Sequence, residues 1–220
     1  MANAYLDDDQ ELVEIPALFR KLNGIINLPS DAEGIVLFAH GSGSSRFSSR
    51  NQYVARTLQL GGLATLLFDL LDEQEAADRE KVFDINLLAE RLKVAAGWVK
   101  QQEDMSGLGL GYFGASTGAA AALVAAANQG TEVKAVVSRG GRPDLAGNTL
   151  AKVQAPTLLI VGGNDEHVVE LNRRALERLQ CEKRLIIIPG ATHLFPEPGA
   201  LDQVANLASQ WFQTHLSAKT

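Results

Sequence analysis

The sequence predicts an α/β protein, a mostly parallel, twisted sheet of about eight strands with helices on both faces. Three observations carry that expectation. Short β-branched or Leu-rich runs alternate with longer segments of helical period. One run, residues 34–39, is apolar without interruption, as a strand buried on both faces requires. The length, 220 residues and 23.6 kDa, suits one domain, and residues 1–220 are expected to form it.

The elements follow in order. Residues 12–15 and 21–28 read as two opening strands, with Asn23-Gly24 as a bulge or turn inside the second. After the strand at 34–39, residues 49–60 read as a helix ended by Gly61-Gly62, and 64–68 as the next strand. Residues 83–102 form the clearest amphipathic helix, with Ile85, Leu88, Leu92, Ala95 and Val99 at three- and four-residue steps. A glycine-interrupted strand at 108–113 precedes residues 117–128, which are almost pure Ala, Leu and Val. A helix apolar all round is a buried helix. Strands at 133–138, 157–161 and 184–188 alternate with a short helix at 144–152 and helices at 168–179 and 201–215.

Composition narrows the function classes. Hydrophobic residues are 46% and charged residues 21%, so there is enough apolar surface to offset chain entropy, which argues against disorder. The net charge of −6 and pI of about 5.3 leave no basic footprint for a phosphate backbone, so no nucleic-acid partner is expected. One cysteine, Cys181, can form neither an internal disulfide nor a Cys-based zinc cluster. The first nine residues show no basic segment followed by an apolar one, and the longest apolar run, 119–127, is short of the roughly 18 residues of a membrane span. The expected setting is cytoplasmic, with no membrane contact, no cofactor and no metal.

Ligand sites in such sheets lie beyond the carboxyl ends of the strands. After the strand ending at Phe113 comes Gly114-Ala115-Ser116-Thr117-Gly118, a G-x-S-x-G between strand and helix. The tight turn strains the serine backbone, the glycines remove clashing side chains, and the hydroxyl projects at a helix head whose free N–H groups face a forming anion. Ser116 is the candidate nucleophile. After Val161 comes Gly162-Gly163-Asn164-Asp165-Glu166-His167. Asp165 is the candidate acid, although an Asp there also suits a helix N-cap, and Glu166 is the rival carboxylate. After Ile188, the loop Pro189-Gly190-Ala191-Thr192-His193 presents His193 as candidate base, ahead of His40, His167 and His215. A serine hydroxyl needs a base, and the base needs an acid to fix its tautomer. The loop His40-Gly41-Ser42-Gly43 stands where one oxyanion-hole N–H arises, and Thr117, after the nucleophile, supplies the other.

These motifs, in the order Ser, Asp, His and over essentially the full length, resemble the α/β-hydrolase superfamily. Within it the chain is similar to the small, lidless dienelactone-hydrolase-like group, as is the segment Val137-Ser138-Arg139-Gly140-Gly141-Arg142-Pro143-Asp144. The resemblance implies the α/β-hydrolase fold without a cap domain, Ser116, His193 and Asp165 as triad, and the N–H groups of Ser42 and Thr117 as oxyanion donors. It implies a small-molecule ester or lactone as substrate. Typical dienelactone hydrolases use a cysteine nucleophile. Serine at 116 favours a general esterase.

Residues 139–156 leave no room for a cap, so an open, shallow site is expected. Arg46, Arg50, Arg139 and Arg142 lie in or near strand-end loops, and Arg139 and Arg142 are candidate readers of an anionic substrate group. The competing readings are a non-catalytic or acyl-transferring protein of the same fold and a dinucleotide oxidoreductase. The last would use Gly109–Gly114, or the Gly41-Ser42-Gly43 loop with Asp69.

Overall fold

The computed structural model describes residues 10–217. The N-terminal stretch read above for a signal lies outside them. In chain order the elements are β1 (Gln10–Ala17), β2 (Arg20–Asn27), β3 (Gly34–Ala39), α1 (Ser49–Leu60), β4 (Leu63–Phe68), α2 (Glu73–Ala76), α3 (Arg79–Val82), α4 (Ile85–Lys100), β5 (Gly109–Ala115), α5 (Thr117–Gln129), β6 (Val133–Arg139), β7 (Thr157–Gly162), α6 (Glu166–Arg178), β8 (Lys183–Ile188) and α7 (Ala200–Leu216). The eight strands form one sheet in the order β1-β2-β4-β3-β5-β6-β7-β8. The β1–β2 and β2–β4 pairs are antiparallel, and every pair from β4 to β8 is parallel.

The apolar runs of β3, β4 and β7 are buried at every position because helices cover both faces. On one face α1 and α7 pack Val54, Leu58, Val204 and Phe212 against Phe38, Phe113 and Val137. On the other, α4 and α5 pack Leu88, Leu92 and Leu123 against Ile35, Leu37 and Tyr112. Helix α5 is buried from Thr117 to Ala126, as its composition requires.

Two expectations change. Asn23-Gly24 does not turn the chain. β2 runs through it, and Gly24 pairs with Val13 on one side and Phe68 on the other. The turn is at Leu18-Phe19, where Leu18 takes φ 54° and both side chains are exposed. The short helix expected at 144–152 is a 3₁₀ segment, Pro143–Lys152, broken at Gly147, whose φ of 57° suits a residue without Cβ.

Candidate active site

The β5–α5 turn places Ser116 at φ 52° and ψ −120°, a conformation that costs a non-glycine residue on the order of 1–3 kcal/mol. The flanking residues hold it there. A Cβ on Gly118 would stand 2.1 Å from the Ala39 carbonyl oxygen, and one on Gly114 would stand 2.4 Å from Ala119 Cα. Ser116 N–H donates to the Arg139 carbonyl at 3.2 Å, and Arg142 N–H donates to the Ser116 carbonyl at 3.0 Å, so the end of β6 clamps the turn.

The candidate acid and the candidate base arrive on two adjacent loops. Asn164 N–H donates to the Ala191 carbonyl at 2.9 Å and Gly163 N–H to the Ile188 carbonyl at 2.8 Å, joining the β7–α6 turn to the β8–α7 loop. Asp165 occupies the N-cap position of α6 but makes no capping bond. Its Oδ2 lies 2.6 Å from His193 Nδ1. Glu166 is exposed in the first turn of α6. The His193 loop carries a brace the sequence gives no hint of. Glu197 Oε1 accepts from Thr192 N–H at 3.0 Å and Thr192 Oγ1–H at 2.6 Å, and these bonds hold the Glu197 carboxyl below the usual range. The imidazole packs beside Gly140, where a Cβ would stand 3.6 Å from His193 Cε1. Gly140 directly follows Arg139, so His193 and Ser116 meet the same strand end. Ser116 Oγ and His193 form no hydrogen bond among the described residues.

The loop after β3 lies against the nucleophile, since a Cβ on Gly41 would stand 3.0 Å from Ser116 Cβ. His40 shapes it. Leu70 N–H donates to His40 Nε2 at 3.2 Å, which leaves the proton on Nδ1 to donate to the Gly41 carbonyl at 3.0 Å. Burial pushes the His40 pKa below its ordinary 6.5, so the ring is neutral. With the Gly41 carbonyl turned to His40, the N–H of the same peptide, that of Ser42, points the other way. It donates to Thr117 Oγ1 at 2.9 Å. The two residues named as oxyanion donors are therefore adjacent, with one amide held by the other's hydroxyl. A cleft of about 990 Å³ flanks this loop, bounded by the hairpin tip at Phe19 and Lys21 and by Asp69 to Gln74. Gly41, which lies against Ser116, and Ser42 line it; Ser116, Asp165 and His193 stand outside its lining.

The four arginines separate by partner. Arg46 pairs with Asp69, through its backbone N–H at 2.7 Å and its guanidinium. Arg142 is gripped by Asp144 through two bonds of 2.8 Å, so its charge is already met. Arg139 is 7% exposed, and its Nε and Nη1 have no hydrogen-bond partner among the described residues. Burial first, and the neighbouring Arg50 charge second, pull its pKa down to about 10. The glycine pattern Gly109–Gly114 lies inside β5, paired on both sides, and forms no phosphate loop. Asp69, the alternative ribose ligand, is occupied by Arg46. Among the described residues no group of three or more His, Cys, Asp or Glu side chains is arranged to hold a metal ion, and no helix is long and apolar enough to cross a membrane.

Residues 22–217 match the model of the dienelactone hydrolase family. The chain belongs to that family. Its fold is that of an α/β-hydrolase without a lid. It is similar to a dienelactone hydrolase from Anabaena variabilis, with a TM-score of 0.91 and 57% identity over 94% of this chain and 98% of that one. A lidless α/β serine hydrolase from Xanthomonas campestris shares the fold at a TM-score of 0.78 and 22% identity, covering 99% of this chain and 100% of that one. A Mycobacterium tuberculosis protein named as a phosphoribosyl transferase is 56% identical over 210 residues, 96% of this chain and 47% of that one. The chain thus spans about half the length of that relative.

Proposed function

We propose that this family member is a serine hydrolase that cleaves a small ester or lactone through an acyl-enzyme, with residues 1–220 as one catalytic domain. The observation that carries the reading is the behaviour of Asp165. It stands where an N-cap would satisfy α6 and gives that bond up for a 2.6 Å contact with His193 Nδ1. That contact keeps the imidazole proton on Nδ1 and leaves Nε2 free to take the proton of Ser116 Oγ. The oxygen then attacks the substrate carbonyl, and Asp165 stabilises the imidazolium. The tetrahedral oxyanion is received by the N–H groups of Thr117 and Ser42, once Ser42 N–H exchanges the Thr117 hydroxyl for the substrate oxygen. Collapse expels the alcohol, which takes its proton from His193 Nε2. Water, deprotonated by the same nitrogen, releases the acid.

The phosphoribosyl transferase name belongs to a protein about twice as long, and the Asp165–His193 contact beside Ser116 supports acyl transfer instead. The test is covalent labelling by a fluorophosphonate together with ester turnover. Ser116→Ala should abolish labelling and lower turnover by about 10⁴-fold or more at nearly unchanged Tm. Turnover within tenfold of the parent would refute the assignment.

A further inference from the structure

Two guanidinium groups near the strand end that clamps the Ser116 turn have no carboxylate partner among the described residues. Arg139 leaves β6 on the face it shares with Ala135 and Val137, under α1 and α7. Its Nη2 reaches Asn51 Oδ1, in the first turn of α1, at a long 3.4 Å, while Nε and Nη1 are buried with no partner among the described residues. Arg50, in that same turn and half-buried, has an equally unmatched Nε. The two are close enough for the Arg50 charge to act on Arg139. The neighbouring arginines have carboxylates: Arg46 has Asp69, although its Nε too is unpartnered, and Arg142 has Asp144. Burying a guanidinium with no carboxylate is costly, and placing a second beside it adds repulsion. The pair is therefore arranged for a negative charge that arrives from outside.

We propose that Arg50 and Arg139, with the first turn of α1, bind a phosphate dianion carried by the substrate. The charge count selects a dianion over a carboxylate. Two guanidiniums add to a helix N-terminus worth about half an elementary charge. That helix, twelve residues long, has no acidic residue in its first turn. A phosphate monoester carries about −1.5 to −2 near neutral pH and offers three oxygens to forked donors. Location ties the site to the reaction. Arg139 pairs with Ala115 across the sheet, one strand spacing of about 4.8 Å from the nucleophile strand, and its carbonyl receives Ser116 N–H. A phosphate held there keeps an ester a few bonds away over Ser116. Arg50, the more exposed of the two, meets the dianion first, and Arg139 sets the field behind it.

This inference rests on the hydrolase reading, so the experiment separates the two. Phenyl esters of equal acyl length, ending in phosphate monoester, carboxylate or hydroxyl, are compared at fixed ionic strength. Wild-type kcat/KM should favour the phosphate ester at least tenfold over each of the others. Arg50→Gln should bring the phosphate-to-hydroxyl ratio close to one, and so should Arg139→Gln; if the latter fails to fold, Arg50→Gln decides alone. Calorimetric titration of Ser116→Ala with the phosphate and hydroxyl esters should show the same preference in Kd, with inorganic phosphate competing. Preference in binding without hydrolysis of any ester would overturn the hydrolase reading and keep the site. Hydrolysis without phosphate preference, or a preference that Arg50→Gln leaves intact, would overturn the site and keep the hydrolase. A carboxylate ester matching the phosphate ester would overturn the dianion assignment.

Discussion

Replacing Thr117 with valine asks what the hydroxyl at the proposed oxyanion hole does. Thr117 Oγ1 accepts the Ser42 N–H at 2.9 Å, and Thr117 is itself buried. Valine keeps the shape and removes the acceptor. A neutral hydrogen bond is worth about 0.5–1.5 kcal/mol net. In the proposed mechanism that bond must give up the single proton on Ser42 to the substrate oxyanion. The oxyanion wins, because a charge-assisted bond is roughly twice as strong. The exchange still costs what the hydroxyl contact was worth. With valine the donor is free beforehand, and exposed Ser42 can lend it to water at no burial penalty. The expected change is a rise in kcat/KM of about two- to tenfold. Against it, the loop after β3 loses an anchor to α5, and a loss of about 1 kcal/mol lowers Tm by roughly 2–4 °C in a chain of this size. The assay is steady-state kcat/KM on a neutral ester, paired with the rate of fluorophosphonate labelling, whose phosphoryl oxygen uses the same hole. Both should rise by a similar factor, and Thr117→Ser should leave both near the parent value. A fall of tenfold or more in Thr117→Val would refute the argument and make the hydroxyl a donor or brace instead of a competitor.

Two further outcomes are expected. Asp165→Asn removes the charge that stabilises the imidazolium and lets an amide N–H force the wrong tautomer, so kcat should fall about 10²- to 10⁴-fold with the fold retained. A larger loss in Glu166→Gln would shift the acid to the neighbouring carboxylate. His40 gives a pH dependence. Its folded pKa lies below the unfolded value of 6.5, so the unfolded chain takes a proton that the folded chain refuses. Its contribution to stability is complete above pH 6.5 and declines as the pH falls below it. His40→Gln should therefore lose less Tm between pH 7.5 and 5.5 than the parent, and equal losses would remove His40 from the account.

What the residues reveal about fold and site follows from how local each determinant is. β3 and α5 are legible because double-sided burial writes itself as uninterrupted apolar sequence. Gly24 misleads because a strand glycine serves either a turn or a close approach. Here a Cβ would stand 3.0 Å from Val13 Cγ2, while the real turn uses Leu18-Phe19, residues that signal no turn at all. Helices α2 and α3, four residues each, carry no periodicity to read, although Asp72 and Asp78 cap them. The strand-end positions of Ser116, Asp165 and His193 are visible because parallel topology gathers strand ends wherever they lie in sequence. Asp165 and Glu166 differ by one residue, and only the pairing of two loops, 26 residues apart at the Asn164–Gly190 bond, decides which carboxylate faces the imidazole. The Ser42–Thr117 bond spans 75 residues and is invisible for the same reason. The arginines carry the point furthest. Four charges stand near one set of strand ends, equivalent in sequence. Their carboxylate partners lie 2 residues away for Arg142 and 23 for Arg46, while Arg50 and Arg139 have no carboxylate partner among the described residues. A charge is written in the sequence, but its counter-charge is set by which side chains the folded strands bring within reach. The arginines left without one are Arg50 and Arg139, near the strand end that clamps the Ser116 turn, where the proposed anion would complete them.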